Sequence, residues 1–253
     1  MLRKKQWHVK NKWKRHLGLI GSRKVSRHLP PTNMLTRRSL KRYLGRYRTV
    51  FIKPVFGSFG NNIMKVSRRK KSYYVQKERR SFHVSKSRIR RTVFRHTGNR
   101  KYLIQKGIRL IRVKGRAIDY RLLMLKPGSK WEFMGIIGKM ATGNRVVTNF
   151  NNGGEPIGLS KSLRSIGWNE ADIRRIRKEM RSLGFATARQ FNRKFKNCRR
   201  LGIDLAIDTN KKIWIIEVNT NPFYDLFKHH QDRGRYRKVD RYMKRIRRLQ
   251  SDR

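Results

Sequence analysis

The stretch GIDLAIDTNKKIWIIEVNTNP, residues 202–222, decides the fold. Two apolar runs, Ile203–Ile207 and Ile213–Val218, flank a polar turn and read as a β-hairpin. If Asp208 pairs with Ile213 across a four-residue loop, Asp204 stands directly opposite Glu217. Side chains alternate along a strand, so Asn219 shares their face. Ile203, Leu205 and Ile207, with Trp214, Ile216 and Val218, then form an apolar back. Like charges placed opposite each other are destabilising unless something neutralises them. Two carboxylates and an amide oxygen are hard ligands suited to Mg2+, which keeps waters and binds nucleotide phosphates. An isolated Asp and Glu in a hairpin reads more simply as a solvated polar face. Here the apolar flanks, Asn219 and the scarcity of acids favour the metal.

That scarcity is marked. The 253 residues hold 68 Lys and Arg against 14 Asp and Glu, a formal net charge of +54. No acid precedes Glu78, and the next is Asp119. Such a chain attracts polyanions, whether nucleic acid, an anionic surface or an acidic polypeptide. Its length suffices for one large domain or two small ones. The single cysteine, Cys198, excludes an internal disulfide and reads as a packed helix residue. No apolar run approaches the ~18 residues of a membrane span, and a cytoplasmic setting is the expectation. The adjacent His229 and His230 diverge on a helix and read as a surface pair.

Working outward, Asn169 opens a helix to about Leu183, a second spans Thr187–Arg199, and a basic helical tail begins near Asp225. Ala117–Leu125 and Trp131–Lys139 form a hairpin that puts Asp119, Arg121 and Lys139 on one face. Alone, this set is as readily an internal ion pair as a functional group. Residues 148–154, TNFNNGG, suit an anion-holding loop or a plain turn. Thr49–Pro54 and Asn62–Val66 are strands joined by the turn Gly57-Ser58-Phe59-Gly60, with Lys53 four residues before it. Glycines let backbone amides approach phosphate, and no Walker loop is present. Tyr73–Gln76, Ser81–Val84 and Tyr102–Gln105 are further strands, and Ser87–His96 is a helix. Thr36 caps a helix to Gly45, and short helices flank Pro30-Pro31. The order predicts an α+β class with antiparallel sheets.

In this order, the pieces resemble the ATP-grasp superfamily, and within it the YheC/YheD-like group of spore-coat-associated proteins. The carriers are NKW (11–13), FIKPVFGSFGNNI (51–63), YLIQKGI (102–108), DYR (119–121), GIIGKMATGNRVVTNFNNGGE (135–155) and the hairpin itself. The hairpin and the N…GG loop are also similar to peptide-glutamate ligases of the RimK type. The resemblance implies ATP, two Mg2+ ions and two subdomains that clasp the nucleotide. These are a small one at 49–108 and a catalytic one at 109–224, between a basic segment at 1–48 and the tail at 225–253. Asp204, Glu217 and Asn219 would hold metal. Lys53, and Lys12 or Lys14, would touch phosphates under a lid of Gly57, Ser58, Phe59 and Gly60. Gln105, Lys106, Gly107 and Ile108 would contact adenine. Arg121, Lys139 and Asn149 would serve catalysis, with Lys139 standing where the pattern expects arginine.

The resemblance also implies a ligase that joins a carboxylate to an amine through an acyl-phosphate, and the surplus cations would recruit an acidic peptide or protein. Because the first nucleotide lysine comes almost at once, most of an N-terminal domain is expected to be missing or supplied by a partner subunit. The competing reading is a polyanion-binding or spore-coat-associated protein with an idle ATP-grasp fold. Trp7, Trp13, Tyr43, Tyr47, Tyr73 and Tyr74 would then be available to stack on nucleic acid bases. A purely structural coat component ranks third, because a scaffold has no use for the three metal ligands together.

Overall fold

The computed structural model describes residues 8–57, 60–78, 80–141 and 155–251. Two antiparallel sheets organise them. The first joins β1 (Thr32–Met34), β2 (Thr49–Pro54), β3 (Met64–Arg68), β4 (Ser72–Lys77), β5 (Arg80–Ser85) and β6 (Tyr102–Lys106) in the order β1-β6-β2-β3-β4-β5. The second joins β8 (Arg116–Leu125), β9 (Glu132–Met140), β10 (Glu155–Gly158), β11 (Arg200–Ile207) and β12 (Ile213–Asn219) in the order β10-β9-β8-β11-β12, with β7 (Arg112–Val113) paired to β8.

Alternation gives the first sheet two unlike faces. Val50, Ile52, Met64, Val66, Val75 and Ile104 are buried beneath α3 (Arg37–Arg46) and α4 (Ile89–Thr97), which add Leu40, Tyr43, Leu44, Ile89 and Val93. Thr36 caps α3 in a reciprocal box with Ser39. The opposite face carries Phe51, Lys53, Lys65 and Gln105, since Phe51 pairs with both Lys65 and Gln105.

The second sheet holds the larger core. Its β8 and β11 side chains pack on α6 (Glu170–Lys194) through Ile173, Ile176, Met180, Leu183 and Phe191. This helix is continuous where two helices are expected. The expected break falls at Gly184, which is not a terminator: a Cβ there would lie 2.9 Å from Leu122, so glycine is what lets α6 approach β8. Two short helices, α1 (Lys12–Ile20) and α2 (Arg23–Ser26), lie against α6, and α1 also meets β12. Only α1 and α2 match the helices expected around Pro30-Pro31; the residues just after become strand β1.

The tail does not project. A 3-10 turn (Asp225–His229) and α7 (Arg233–Ser251) cover the other face of β8 and β9, burying Leu226, Phe227, Val239, Met243 and Ile246 against Leu123, Leu125, Met134 and Ile137. Among the described residues no helix is long and apolar enough to cross a membrane.

Candidate active site

Asp204 pairs with Glu217 across β11 and β12, and Gly202 pairs with Asn219. The loop that delivers this register differs from the expected one. Asp208 N–H bonds Lys212 O at 2.9 Å, and Asp208 Oδ1 also accepts the Asn210 and Lys212 amides, which closes the turn one residue early. A bulge then restores the register: Leu205 pairs with Ile215 while Asp204 pairs with Glu217, leaving Ile216 as the extra residue. The apolar back is corrected accordingly. Ile213, Ile215 and Val218 enter the core cluster that packs on α6, whereas Ile216 does not and Trp214 is buried outside it. Trp214 instead donates its indole N–H to Asp208 and lies beneath the ammonium groups of Lys106 and Lys212.

Each carboxylate has its own cations. Asp204 accepts Arg121 Nε at 2.7 Å and Lys139 Nζ at 3.0 Å on one oxygen, and Arg121 Nη2 at 3.1 Å and Asn219 Nδ2 at 3.3 Å on the other. Burial would raise its pKa, but Arg121 and Lys139 outweigh burial and hold it well below the usual carboxylate range. Lys139 reaches Asp119 as well, at 2.9 Å, and pairs with it across β8 and β9 as the hairpin reading requires. Gly202 makes room for this arrangement, since a Cβ there would lie 2.6 Å from Pro222 and 3.0 Å from Arg121.

Glu217 is the more accessible acid, its side chain 28% exposed against 12% for Asp204. Its Oε1 accepts Arg15 Nη2 at 2.6 Å, and Lys12 Nζ stands 3.9 Å away. Arg15 Nη1 also donates to Asn219 Oδ1 at 3.3 Å. Lys12 reaches the glycine turn through Gly57 O, and its own amide donates to Val55 O. Lys14, the alternative to Lys12 in the sequence reading, is exposed. Arg15 is a site residue the sequence reading missed. Its signal lies in α1, whose buried stripe is Arg15, Gly18 and Leu19, an arginine where an apolar residue belongs.

Lys53 completes the cluster from the facing sheet. It is buried, donates to Gln105 Oε1 at 2.6 Å, and lies within the field of Glu217, Asp204 and Asp119. Burial pulls its pKa down to about 8 despite the pull of Glu217. Gln105 is fixed by donating to Thr32 Oγ1 at 3.0 Å. Lys106 spans Tyr47 and Trp214, one from each half. Gly107 N–H bonds Thr49 O, and beyond Ile108 the chain joins β11 through Ile111 N–H to Ile207 O. The segment 105–108 is thus the connection between the sheets. Lys12, Lys53, Arg121, Lys139, Asp204, Glu217 and Asn219 come together; Ser58, Phe59 and Asn149 lie outside the described residues, and Gly60 follows them in a turn with φ +76°.

The donors fit magnesium. Among the described residues no three His, Cys, Asp or Glu converge, and the candidate hard oxygens are those of Asp204, Glu217 and the Asn219 amide. This suits an ion that retains waters.

Two antiparallel sheets facing across this cluster define an ATP-grasp fold. The structure superimposes on D-cycloserine synthetase DcsG with a TM-score of 0.57 (12% identity, 94% of this chain, 70% of that one). It matches D-alanyl-alanine synthetase A from Vibrio cholerae O1 with 0.58 (14% identity, 94% and 65%). At such identities the likeness is one of fold. The chain belongs to the YheC/D like ATP-grasp family, whose model matches residues 4–246. Among curated relatives, the endospore coat-associated protein YheD of Bacillus subtilis (strain 168) is 26% identical over 87% of this chain. The endospore coat-associated protein YheC of the same organism is 18% identical over 78%. The chain spans about half the length of these relatives, 49% and 56% respectively.

Proposed function

We propose that the protein is an ATP-dependent carboxylate–amine ligase that works through an acyl-phosphate on an acidic peptide or protein. The observation that carries this reading is the in-register pair Asp204 and Glu217, with Asn219 beside them, facing Lys12 and Lys53 from the glycine-turn side. When bound, ATP with Mg2+ supplies the phosphoryl group and the divalent charge that neutralises it. Glu217 would hold the metal through the carboxylate oxygen that Arg15 does not contact, with Asp204 and Asn219 beside it. Lys53 and Lys12 bind phosphate oxygens, and Gly57 and Gly60 let the lid backbone approach them. Residues 105–108 contact the base, with Trp214 and Lys106 closing one side. Arg121 and Lys139 stabilise charge that builds on the transferring group, which is the main work of such sites. Burial in the cleft strengthens these interactions by excluding water. Asn149 is proposed to act with them, and a cytoplasmic setting is part of the same reading.

Incubation with ATP, Mg2+, a mixture of free amino acids as amine donors and a glutamate-rich peptide, followed by intact-mass measurement, tests the reading. The expected result is ADP together with a peptide gaining one amino acid, or losing one water if a ring closes. ATP left intact under all acceptors would contradict it.

A second reading has its own support. The relatives' names place them at the endospore coat, and the net charge of +54 suits a protein that gathers polyanions. On the solvent side of α7, Arg237, Arg241, Lys244, Arg245 and Arg248 are exposed along one helix. In this reading the fold is inherited and the nucleotide site idle, and polyanion binding proceeds without ATP.

A further inference from the structure

We propose that Arg15 is a resident cation that takes the place of one of two metal ions, so that the nucleotide site works with a single Mg2+. The inference rests on the ATP-ligase reading and revises the expectation of two ions.

One guanidinium engages both oxygens that a second metal would need. Arg15 Nη2 is 2.6 Å from Glu217 Oε1, and Nη1 is 3.3 Å from Asn219 Oδ1. The same Oε1 has Lys12 Nζ at 3.9 Å, so a divalent ion placed there would stand against two positive charges. Among the described residues no partner is recorded for Glu217 Oε2, which leaves one oxygen of this carboxylate for a metal. Asp204 adds no second open position, because Arg121, Lys139 and Asn219 together occupy both of its oxygens.

The backbone that carries Arg15 is fixed at several points. Gly18 lies so close to α6 that a Cβ would sit 2.7 Å from the Phe195 ring, and Gln190 donates to Gly18 O at 3.0 Å. At the other end Val9 N–H bonds the Thr220 hydroxyl at 3.0 Å, and Lys12 N–H bonds Val55 O. Arg15 itself is buried, and its Nε is left without a hydrogen-bond partner. An unsatisfied buried N–H is costly. The fold tolerates it in order to aim both terminal nitrogens at Glu217 and Asn219. Arginine suits this role because it stays charged and its planar fork spans two oxygens.

The test is the metal stoichiometry of the full chain saturated with β,γ-imido-ATP, with Mn2+ as the probe counted by electron paramagnetic resonance. The wild type should hold one Mn2+ per bound nucleotide, Arg15→Lys one, and Arg15→Ala two. Two ions in the wild type, or one in Arg15→Ala, would overturn the inference while leaving the nucleotide site standing. A wild type that binds no nucleotide would remove the ligase reading and this inference with it. If Arg15→Ala does not fold, the wild-type count still decides.

Discussion

Asp204 and Glu217 stand opposite each other across one hairpin, yet among the described residues their direct ion pairs are separate: Arg121 and Lys139 contact the first, while Arg15 and Lys12 attend the second. The like-charge repulsion expected of such a pair is met by cations drawn from β8, β9 and α1. The arrangement sets one acid deep in the sheet as a structural anchor and leaves the other partly open. The predictions follow from that division.

Removing the anchor exposes what it neutralises. Asp204→Ala strands the buried Arg121 and leaves Lys139 with Asp119 alone, and the loss of one partner from a buried ion network costs about 3–5 kcal/mol. Urea unfolding should show a lower midpoint with an unchanged slope, the extrapolated stability falling by that amount. Adding Arg121→Met to the same chain should recover part of the loss, since the stranded charge is gone.

Gly202 is predicted to be intolerant. Alanine there meets Pro222 and Arg121, and forcing a carbon into a packed site costs about 1–3 kcal/mol. Arg121 must shift from Asp204, so ATP turnover should fall more than stability alone explains. Comparison of kcat in Gly202→Ala with its melting temperature checks this, and wild-type kcat would count against the contact.

Lys53 gives the site a pH dependence. In the native protein its pKa falls from the ordinary 10.5 to about 8, because burial disfavours the charged form. Below about pH 8 the ammonium is charged and available to phosphate, so nucleotide affinity should decline as pH rises through 8. Lys53→Arg, which stays charged, should abolish that inflection in a calorimetric titration. The stability effect has the opposite sense. Between about 8 and 10.5 the unfolded chain holds more protons than the native one, so stability rises with pH across this window. The full span is on the order of 3 kcal/mol, lost as pH falls through 8. Lys53→Met should lack this rise.

Polyanion binding should be electrostatic and salt-sensitive. If about six to ten phosphates are neutralised, affinity for duplex DNA should drop ~10³–10⁵-fold between 50 and 200 mM salt. Fluorescence anisotropy across a salt series measures the slope. Affinity that persists at high salt, without nucleotide binding, would point to a shaped nucleic-acid site and favour the second reading of the function.

Much of this was legible in the sequence because it is local. The strands Thr49–Pro54 and Ala117–Leu125 follow from short β-branched or apolar runs, and the Asp119, Arg121 and Lys139 face follows from their spacing. The Asp204–Glu217 pairing was legible for an incomplete reason, since an early loop closure at Asp208 and the bulge at Ile216 cancel. The bulge is what moved Trp214 out of the core cluster that packs on α6. Arg15 was hidden because its partners are 202 and 204 residues away and it lies in a run of other cations. The single helix α6 was misread at Gly184, whose role is contact with Leu122. Strand β1 has only three residues and depends on β6 for its hydrogen bonds.

The most direct measurement is ATP turnover by the wild type and by Glu217→Gln, which keeps an oxygen for Arg15 but removes the negative charge. With Mg2+ and an acidic peptide, ADP release should be at least about a hundredfold slower in the variant, the scale of losing one electrostatic element of such a site. Equal turnover in the two proteins would contradict the assignment of Glu217 as the accessible carboxylate on which the nucleotide's metal is held.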